Sequence, residues 1–325
     1  MDLSTTYLGM RLPHPLIVGA GPLGDDVDVA RALEDNGAAL LVLRSLYEEE
    51  ITGEQMDEFR NLEPFSGLSA EADSFAPEPL LALGPDEYLE YLQGVKAALG
   101  IPVMASLNGL THGGWLAYAK VLEQAGADGL ELHLYHAASD MTTSAAEVER
   151  QVVEVVGEVK RSLTIPVAVK LAPLLTAFAH FAKTLDATGV DGLVLFTRFH
   201  RVDIDVDELE VVRSLPLSDS SDLQLRLRGT AALSGRINAS LAITGGIHTG
   251  LDVVKATMCG AHATQMVSAL LRHGPGHLRV VRREVEEWMT EHEWSSLSEM
   301  RGNMSLGRIP DPAAYERANF RMALR

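Results

Sequence analysis

The sequence predicts an α/β chain folded as one (β/α)8 TIM barrel over residues 1–325, with insertions after the second and sixth strands and helices at the C-terminal end. Three observations carry this. Eight short runs are apolar on both faces, which marks parallel strands covered by helices rather than a half-exposed antiparallel sheet. Longer amphipathic segments alternate with them from end to end. The segments repeatedly close on glycine directly before the next strand, at Asn36-Gly37-Ala38, Ala125-Gly126-Ala127, Thr188-Gly189-Val190 and Cys259-Gly260-Ala261. Glycine there ends a helix in the left-handed conformation at little cost. Eight such units close naturally into a barrel, with a doubly wound open sheet as the alternative architecture.

In chain order, the first strand is expected over Pro15–Ala20 and the second over Ala39–Leu46. Tyr47–Pro85 then breaks the rhythm with Glu48, Glu49, Glu50 and prolines 64, 77, 79 and 85. An insertion after a barrel strand lies at the catalytic face, so it reads as a lid or substrate loop, or else as a solvated excursion. Strands follow at Pro102–Leu107 and Gly129–Tyr135. Ser144 and Glu147 give a capping box for the next helix, in which Val148, Val152, Val155 and Val159 form one apolar stripe. The fifth and sixth strands are Pro166–Ala172 and Gly192–Thr197, and Asp203–Arg228 reads as the second insertion. Ser240–Thr244 and Ala263–Ser268 complete the set, and the tail from Glu284 onward reads as helices packed outside the barrel. No break in composition divides the chain, which therefore reads as a single domain.

The balance of charge narrows the partners. With 27 basic and 45 acidic residues the net charge is −18, which repels phosphate backbones and anionic lipid. Neither nucleic acid nor a membrane surface is an expected partner; a small molecule is. No run nears the ~20 apolar residues of a membrane span, and the first residues carry no secretory pattern. One cysteine, Cys259, excludes an internal disulfide and fits a reducing cytoplasm. At the end of a helix, it reads as a buried small hydrophobe. No metal-ligand spacing is present, and one cysteine cannot hold an iron–sulfur cluster.

Chemistry concentrates at strand ends. Thr244-Gly245-Gly246-Ile247 closes the seventh strand and Val267-Ser268-Ala269-Leu270 the eighth. Loops there commonly cradle a phosphate with main-chain N–H groups, although Gly-Gly alone also serves a tight turn. Lys170 interrupts the apolar Val-Ala-Val-Lys-Leu-Ala-Pro. It could stabilise a developing anion, form a Schiff base, or snorkel outward from the strand end. His133-Leu134-Tyr135-His136 ends the fourth strand, with His136 suited to acid–base work. Arg44 and Ser45, Asn108, and Arg198 with His200 and Arg201 add polar and cationic groups to the same rim, which suits a small anionic ligand.

These motifs, together with Gly19-Ala20-Gly21-Pro22-Leu23, Ser106-Leu107-Asn108-Gly109 and Ala125-Gly126-Ala127-Asp128, resemble the dihydroorotate dehydrogenase family of FMN-dependent barrels, and more closely its dihydroorotate dehydrogenase-like branch. The resemblance runs over nearly the whole chain and implies FMN as cofactor. By it, Gly245, Gly246, Val267 and Ser268 would hold the phosphate. Lys170 would meet the pyrimidine edge of the isoalloxazine, Ala20 and Gly21 would line the ring, and Ser45 would lie nearby. The family's strand-four motif, Asn-x-Ser-Cys/Ser-Pro-Asn, is here His133-Leu134-Tyr135-His136-Ala137-Ala138, so the base position holds His136, with Tyr135 as the alternative. Arg44 stands where the family has lysine and Thr197 where it has asparagine. Substrate contacts would fall to Arg44, Asn108, His133, Thr197 and Arg198. Losing paired amide contacts at about 1–3 kcal/mol each weighs against orotate itself.

The sequence thus supports an FMN-dependent oxidoreductase of the CH–CH donor class acting on a small anionic or carbonyl substrate. Three other readings stand beside it. One is dihydroorotate dehydrogenation in pyrimidine biosynthesis with a histidine base. Another is a non-catalytic flavoprotein serving as electron carrier or partner subunit, and the last is a flavin-free lyase using Lys170. A homodimer or an electron-transfer partner is compatible with all of the flavin readings.

Overall fold

The computed structural model describes residues 1–48, 50–51, 84–109, 115–134, 141–198, 201–214 and 216–315. All eight expected strands form, as β3 (Leu16–Val18), β4 (Leu41–Tyr47), β5 (Val103–Asn108), β6 (Gly129–His133), β7 (Val167–Leu171), β8 (Gly192–Leu195), β11 (Ser240–Thr244) and β12 (Ala263–Met266). They close in the order β11-β12-β3-β4-β5-β6-β7-β8 with every pairing parallel. The (β/α)8 barrel is therefore observed, and the open sheet is not.

The two-residue period of a strand explains how sequences this apolar acquire a polar interior. Leu41, Leu43, Val103, Ala105, Leu107, Leu130, Leu132, Val167 and Val169 point outward into the large core beneath the helices. The intervening Ile17, Val42, Met104, Ala168, Val194, Ala242 and Ala263 point inward at one end of the barrel and form a second, smaller core. One pleat further along five of the strands, β5, β6, β7, β11 and β12, the inward positions become Ser106, Glu131, Lys170, Thr244 and Gln265. In β4 a register irregularity between Val42 and Ser45 turns Ser45 beside Ser106. The interior is thus oily towards the strands' beginnings and polar towards their ends.

A hairpin that the sequence reading did not anticipate seals the oily end. β1 (Thr5–Tyr7) and β2 (Met10–Leu12) pair antiparallel, and Tyr7, Leu8 and Leu12 join the smaller core. Gly192 makes room for it, since a Cβ there would sit 2.3 Å from Leu8 Cδ2. Three-residue strands are too short to display a period of two, which is why the hairpin was not legible.

The helices are α1 (Val27–Asp35), α2 (Pro85–Ala98), α3 (Trp115–Gln124), α4 (Ala145–Ser162), α5 (Phe178–Asp186), α6 (Leu223–Leu233), α7 (Gly250–Cys259), α8 (Ser268–His273), α9 (His277–Glu291) and α10 (Leu297–Met300). Gly37, Gly126, Gly189 and Gly260 all take positive φ at the helix-to-strand turns, as their spacing implies. Half of the expected capping box forms. Ser144 Oγ accepts from Glu147 N at 3.2 Å, but the Glu147 carboxylate turns to Arg150. Val152, Val155 and Val159 of the stripe are buried, and Val156 joins them while Val148 is half-buried. The second insertion is shorter than expected. Only an exposed hairpin of β9 (Arg201–Asp205) and β10 (Glu210–Ser214) is extra, whereas α6 is a regular barrel helix. Its inward face carries Arg226 among Leu223, Thr230 and Leu233, and that charge hid the apolar stripe. Most of the acidic insertion after β4 lies outside the described residues. Cys259 is buried at the end of α7, 3.7 Å from Tyr315 Oη. No helix among the described residues is long and apolar enough to cross a membrane.

Two histidines, His14 buried and His262 half-buried, make stability depend on pH. His14 Nδ1 accepts the Leu16 N–H and His262 Nδ1 accepts the Leu241 N–H, and burial pushes each pKa down to about 4. The unfolded chain takes up protons near its ordinary value of about 6.5 while the folded chain refuses them. Their stabilising contribution is complete above that pH and is lost as the pH falls towards 4. Denaturant titrations at pH 7 and pH 5 should differ by about 1–2 kcal/mol per histidine. Replacing either residue with glutamine should flatten the difference.

Candidate active site

The polar end of the barrel opens into a cavity of about 670 Å³. Of the expected site residues, Ala20, Gly21, Arg44, Ser45, Asn108, His133, Lys170, Thr197, Arg198, Gly245, Gly246, Val267 and Ser268 line it, while Arg201 stands at the start of β9. Tyr135, His136 and His200 lie outside the described residues. Strands one to eight of the barrel thus deliver their ends to one space, as the fold requires.

One wall is main chain. Gly245 and Gly246, at φ +81° and +85°, follow β11, and a Cβ on Gly246 would lie 2.5 Å from Leu223 N at the start of α6. Ser218 ties this loop to the next strand end. Its Oγ accepts from Gly246 N at 3.4 Å, and its own N–H donates to Ser268 Oγ at 3.1 Å. Behind the loop lies Arg226, only 6% exposed, which donates to the carbonyls of Thr244 (2.5 Å), Asp222 (2.5 Å) and Phe196 (3.2 Å). Burial and the neighbouring Arg198 charge lower its pKa, against the pull of Asp222. A planar fork of five donors spread over three nitrogens suits three converging carbonyls better than a lysine's three donors on one nitrogen.

On the facing side, Arg44 pairs with Asp25 at 3.4 Å, and Ser45 Oγ lies 2.7 Å from Ser106 Oγ. Tyr88 of α2 reaches into this corner, donating to Arg44 O at 2.9 Å and accepting from Ser106 N at 3.1 Å. At the rim, Asn108 Nδ2 lies 3.1 Å from His133 Nδ1. An amide nitrogen only donates, so His133 Nδ1 accepts and its proton sits on Nε2. Burial first, and the Lys170 charge second, push the His133 pKa down to about 4, which keeps the ring neutral.

The floor is a buried triad. Lys170 Nζ meets Glu131 Oε1 at 3.0 Å, and Gln265 Nε2 meets Glu131 Oε2 at 2.6 Å. Lys170 faces inward, so it does not snorkel. An ammonium engaged by a carboxylate offers no electron pair for carbonyl attack, which argues against the Schiff-base lyase. Among the described lining residues the charged groups are Arg44, Lys170 and Arg198, with no carboxylate. Arg44 and Lys170 pair with carboxylates set back from the lining, Asp25 and Glu131, so the charged groups that face the cavity are cations, which suits an anion. The sequence reading missed Glu131, Gln265, Ser218 and Arg226. The first two carried a visible signal, a polar residue at an inward register position of an apolar strand. The last two carried none.

The sequence profile of the dihydroorotate dehydrogenase family matches residues 2–289. The chain belongs to the dihydroorotate dehydrogenase family. It is an oxidoreductase of that family, as its named relatives are dehydrogenases. A protein of Aeropyrum pernix provisionally named dihydroorotate dehydrogenase A (fumarate) is 28% identical over 307 residues, covering 93% of this chain and 97% of the relative. The chloroplastic dihydropyrimidine dehydrogenase (NADP(+)) of Arabidopsis thaliana is 22% identical over 93% of this chain and 76% of its own. The catalytic subunit of dihydroorotate dehydrogenase B (NAD(+)) of Thermoplasma acidophilum is 26% identical over 93% of this chain and 98% of its own. The family's dehydrogenase members thus align with the whole barrel, the cavity included.

Proposed function

We propose that this protein is an FMN-dependent oxidoreductase that transfers hydride between the flavin and a small anionic or carbonyl substrate at the barrel mouth. The observation that carries the reading is the glycine loop at Gly245 and Gly246 and the start of α8 at Ser268, tied together by Ser218 and opening on the same cavity as Lys170. The residues fit FMN on three counts. A Cβ on Gly246 would meet the α6 backbone, so the loop is held in the bare conformation that lets a phosphate approach main-chain N–H groups. Ala20 and Gly21, beside Val267, line the cavity with little or no side chain. The cavity volume lies within the range that takes a drug-sized ligand.

In this reading Gly245, Gly246, Val267 and Ser268 bind the phosphate, and Ser45, Ala20 and Gly21 flank the ring. Lys170 stabilises charge on its pyrimidine edge. FMN, when bound, supplies hydride transfer. Arg44, Arg198, Asn108 and Thr197 orient the substrate, and neutral His133 donates from Nε2 to one of its oxygens. His136, with Tyr135 as the alternative, holds or delivers the substrate's proton. Dihydroorotate itself fits less well, because His133 and Thr197 replace the paired amides its ring would need. The name of the Thermoplasma relative, a catalytic subunit, supports a separate protein as electron acceptor. The single buried cysteine favours a reducing, cytoplasmic setting.

Purified protein should be yellow and keep stoichiometric FMN through desalting; a colourless protein that takes up no FMN would end the reading. Replacing His136 with alanine should leave the flavin spectrum intact and slow substrate reduction of the flavin by about 10²–10⁴-fold. An unchanged rate would move the proton's handling to Tyr135, whereas wild-type flavin that no substrate reduces would reassign the protein as a flavin carrier.

A further inference from the structure

We propose that Glu131, sealed within the barrel, is a positioning residue that sets how much positive charge Lys170 presents to a bound flavin; this rests on the FMN reading above. Glu131 has no exposed surface. A carboxylate so placed persists only with its oxygens engaged, and here each has its own donor, Lys170 Nζ at 3.0 Å and Gln265 Nε2 at 2.6 Å. The donors come from different places. Lys170 lies on the adjacent strand β7, two residues beyond Ala168, the register partner of Glu131, whereas β12, which carries Gln265, stands four strands away around the eight-stranded ring, directly across the interior.

Both partners are fixed by this arrangement. A carboxylate only accepts, so the Gln265 amide must turn its nitrogen inward. Its oxygen then lies over Gly19, where a Cβ would come within 2.9 Å. Lys170 is drawn along its strand face and cannot swing freely into the cavity. Lys170 and Gln265 line the cavity while Glu131 stands behind them. The other titratable groups facing the carboxylate are held neutral. Burial and the Glu131 charge push the Tyr7 hydroxyl well up, and burial pushes the His133 ring down. Among the described residues the Lys170–Glu131 pair is therefore the charge of this layer, and it sums to zero.

The consequence concerns reduction. A bare ammonium at the ring's edge favours the electron-rich, reduced flavin. A carboxylate behind that ammonium subtracts from the effect. Glu131 thus keeps the flavin less oxidising than Lys170 alone would make it.

The test is the FMN midpoint potential of the full-length, FMN-loaded protein, measured by dye-linked reductive titration. Glu131→Gln keeps an acceptor for Lys170 but deletes the charge. It is expected to raise the preference for reduced over oxidised FMN about tenfold, ~30 mV for two electrons. Lys170→Met should move the potential the opposite way by at least as much. A Glu131→Gln potential that is unchanged, or that falls together with Lys170→Met, overturns the proposal, since a merely structural carboxylate would give no opposed pair. Wild-type protein that holds no FMN defeats the FMN reading itself, and this proposal with it.

Should Glu131→Gln not fold, thermal melting of Glu131→Leu and of Glu131→Leu/Lys170→Met decides. Removing the stranded ammonium should restore most of the melting temperature lost in the single variant. Additive losses would show that the two charges are not coupled, and would overturn the proposal.

Discussion

Gly246→Ala is expected to lower stability by about 2–5 kcal/mol and to abolish FMN retention. Two separate penalties meet at this residue. Its φ of +85° is unfavourable for any side chain, at about 1–2 kcal/mol. In addition, the new methyl would lie 2.5 Å from Leu223 N and 2.8 Å from Leu223 Cα. Those atoms are backbone at the start of α6, so no rotamer change relieves the overlap, and overpacking of this kind costs about 1–3 kcal/mol. Gly37→Ala is the control, because φ there is +91° but nothing lies within 4 Å. Urea titrations should show Gly37→Ala paying only the conformational part. Equal losses at the two positions would mean that α6 does not press on the loop.

Arg226→Met is expected to cost about 3–5 kcal/mol and to weaken FMN binding by a further 10-fold or more relative to riboflavin. The guanidinium ties the ends of β8 and β11 to the start of α6 through three carbonyls. An apolar side chain would leave those carbonyls without donors in a dry region, at about 1–3 kcal/mol for each one left unsatisfied. It would also remove a positive charge from directly behind the phosphate loop. Comparing FMN with riboflavin isolates this second effect, since only FMN carries the phosphate. Arg226→Lys should recover the charge but not the fork, and so rescue the ratio more than the stability. If both ligands weaken equally in Arg226→Met, the residue serves the fold alone.

These two residues mark where sequence reasoning reached and where it stopped. The eight strands were legible because parallel strands, covered on both faces, must be apolar throughout. For the same reason Lys170 stood out, a cation in a run that otherwise admits none. Glu131 carries the same signal in Gly-Leu-Glu-Leu-His, and Gln265 carries it in Ala-Thr-Gln-Met. Recognising them needed the register, which places all three inside the barrel at adjoining depths. Arg226 was beyond reach. In Leu-Gln-Leu-Arg-Leu-Arg it has Arg228 as a near twin, and only the rotational phase of α6 buries the first and exposes the second. Ser218 likewise depends on where a loop crosses between two strand ends, which no local pattern encodes. The β1–β2 hairpin, which no local pattern announced, is specified by contacts with residues far along the chain, Gly192 among them.

That hairpin also decides how reactants travel. Among the described residues, Tyr7, Leu8 and Leu12 stopper the far end, which leaves the strand-tip side as the way in and out. Two redox partners that share one doorway cannot both occupy it, so the first must depart as product before the second arrives. Steady-state double-reciprocal plots for donor and acceptor should therefore run parallel, the pattern of a ping-pong enzyme.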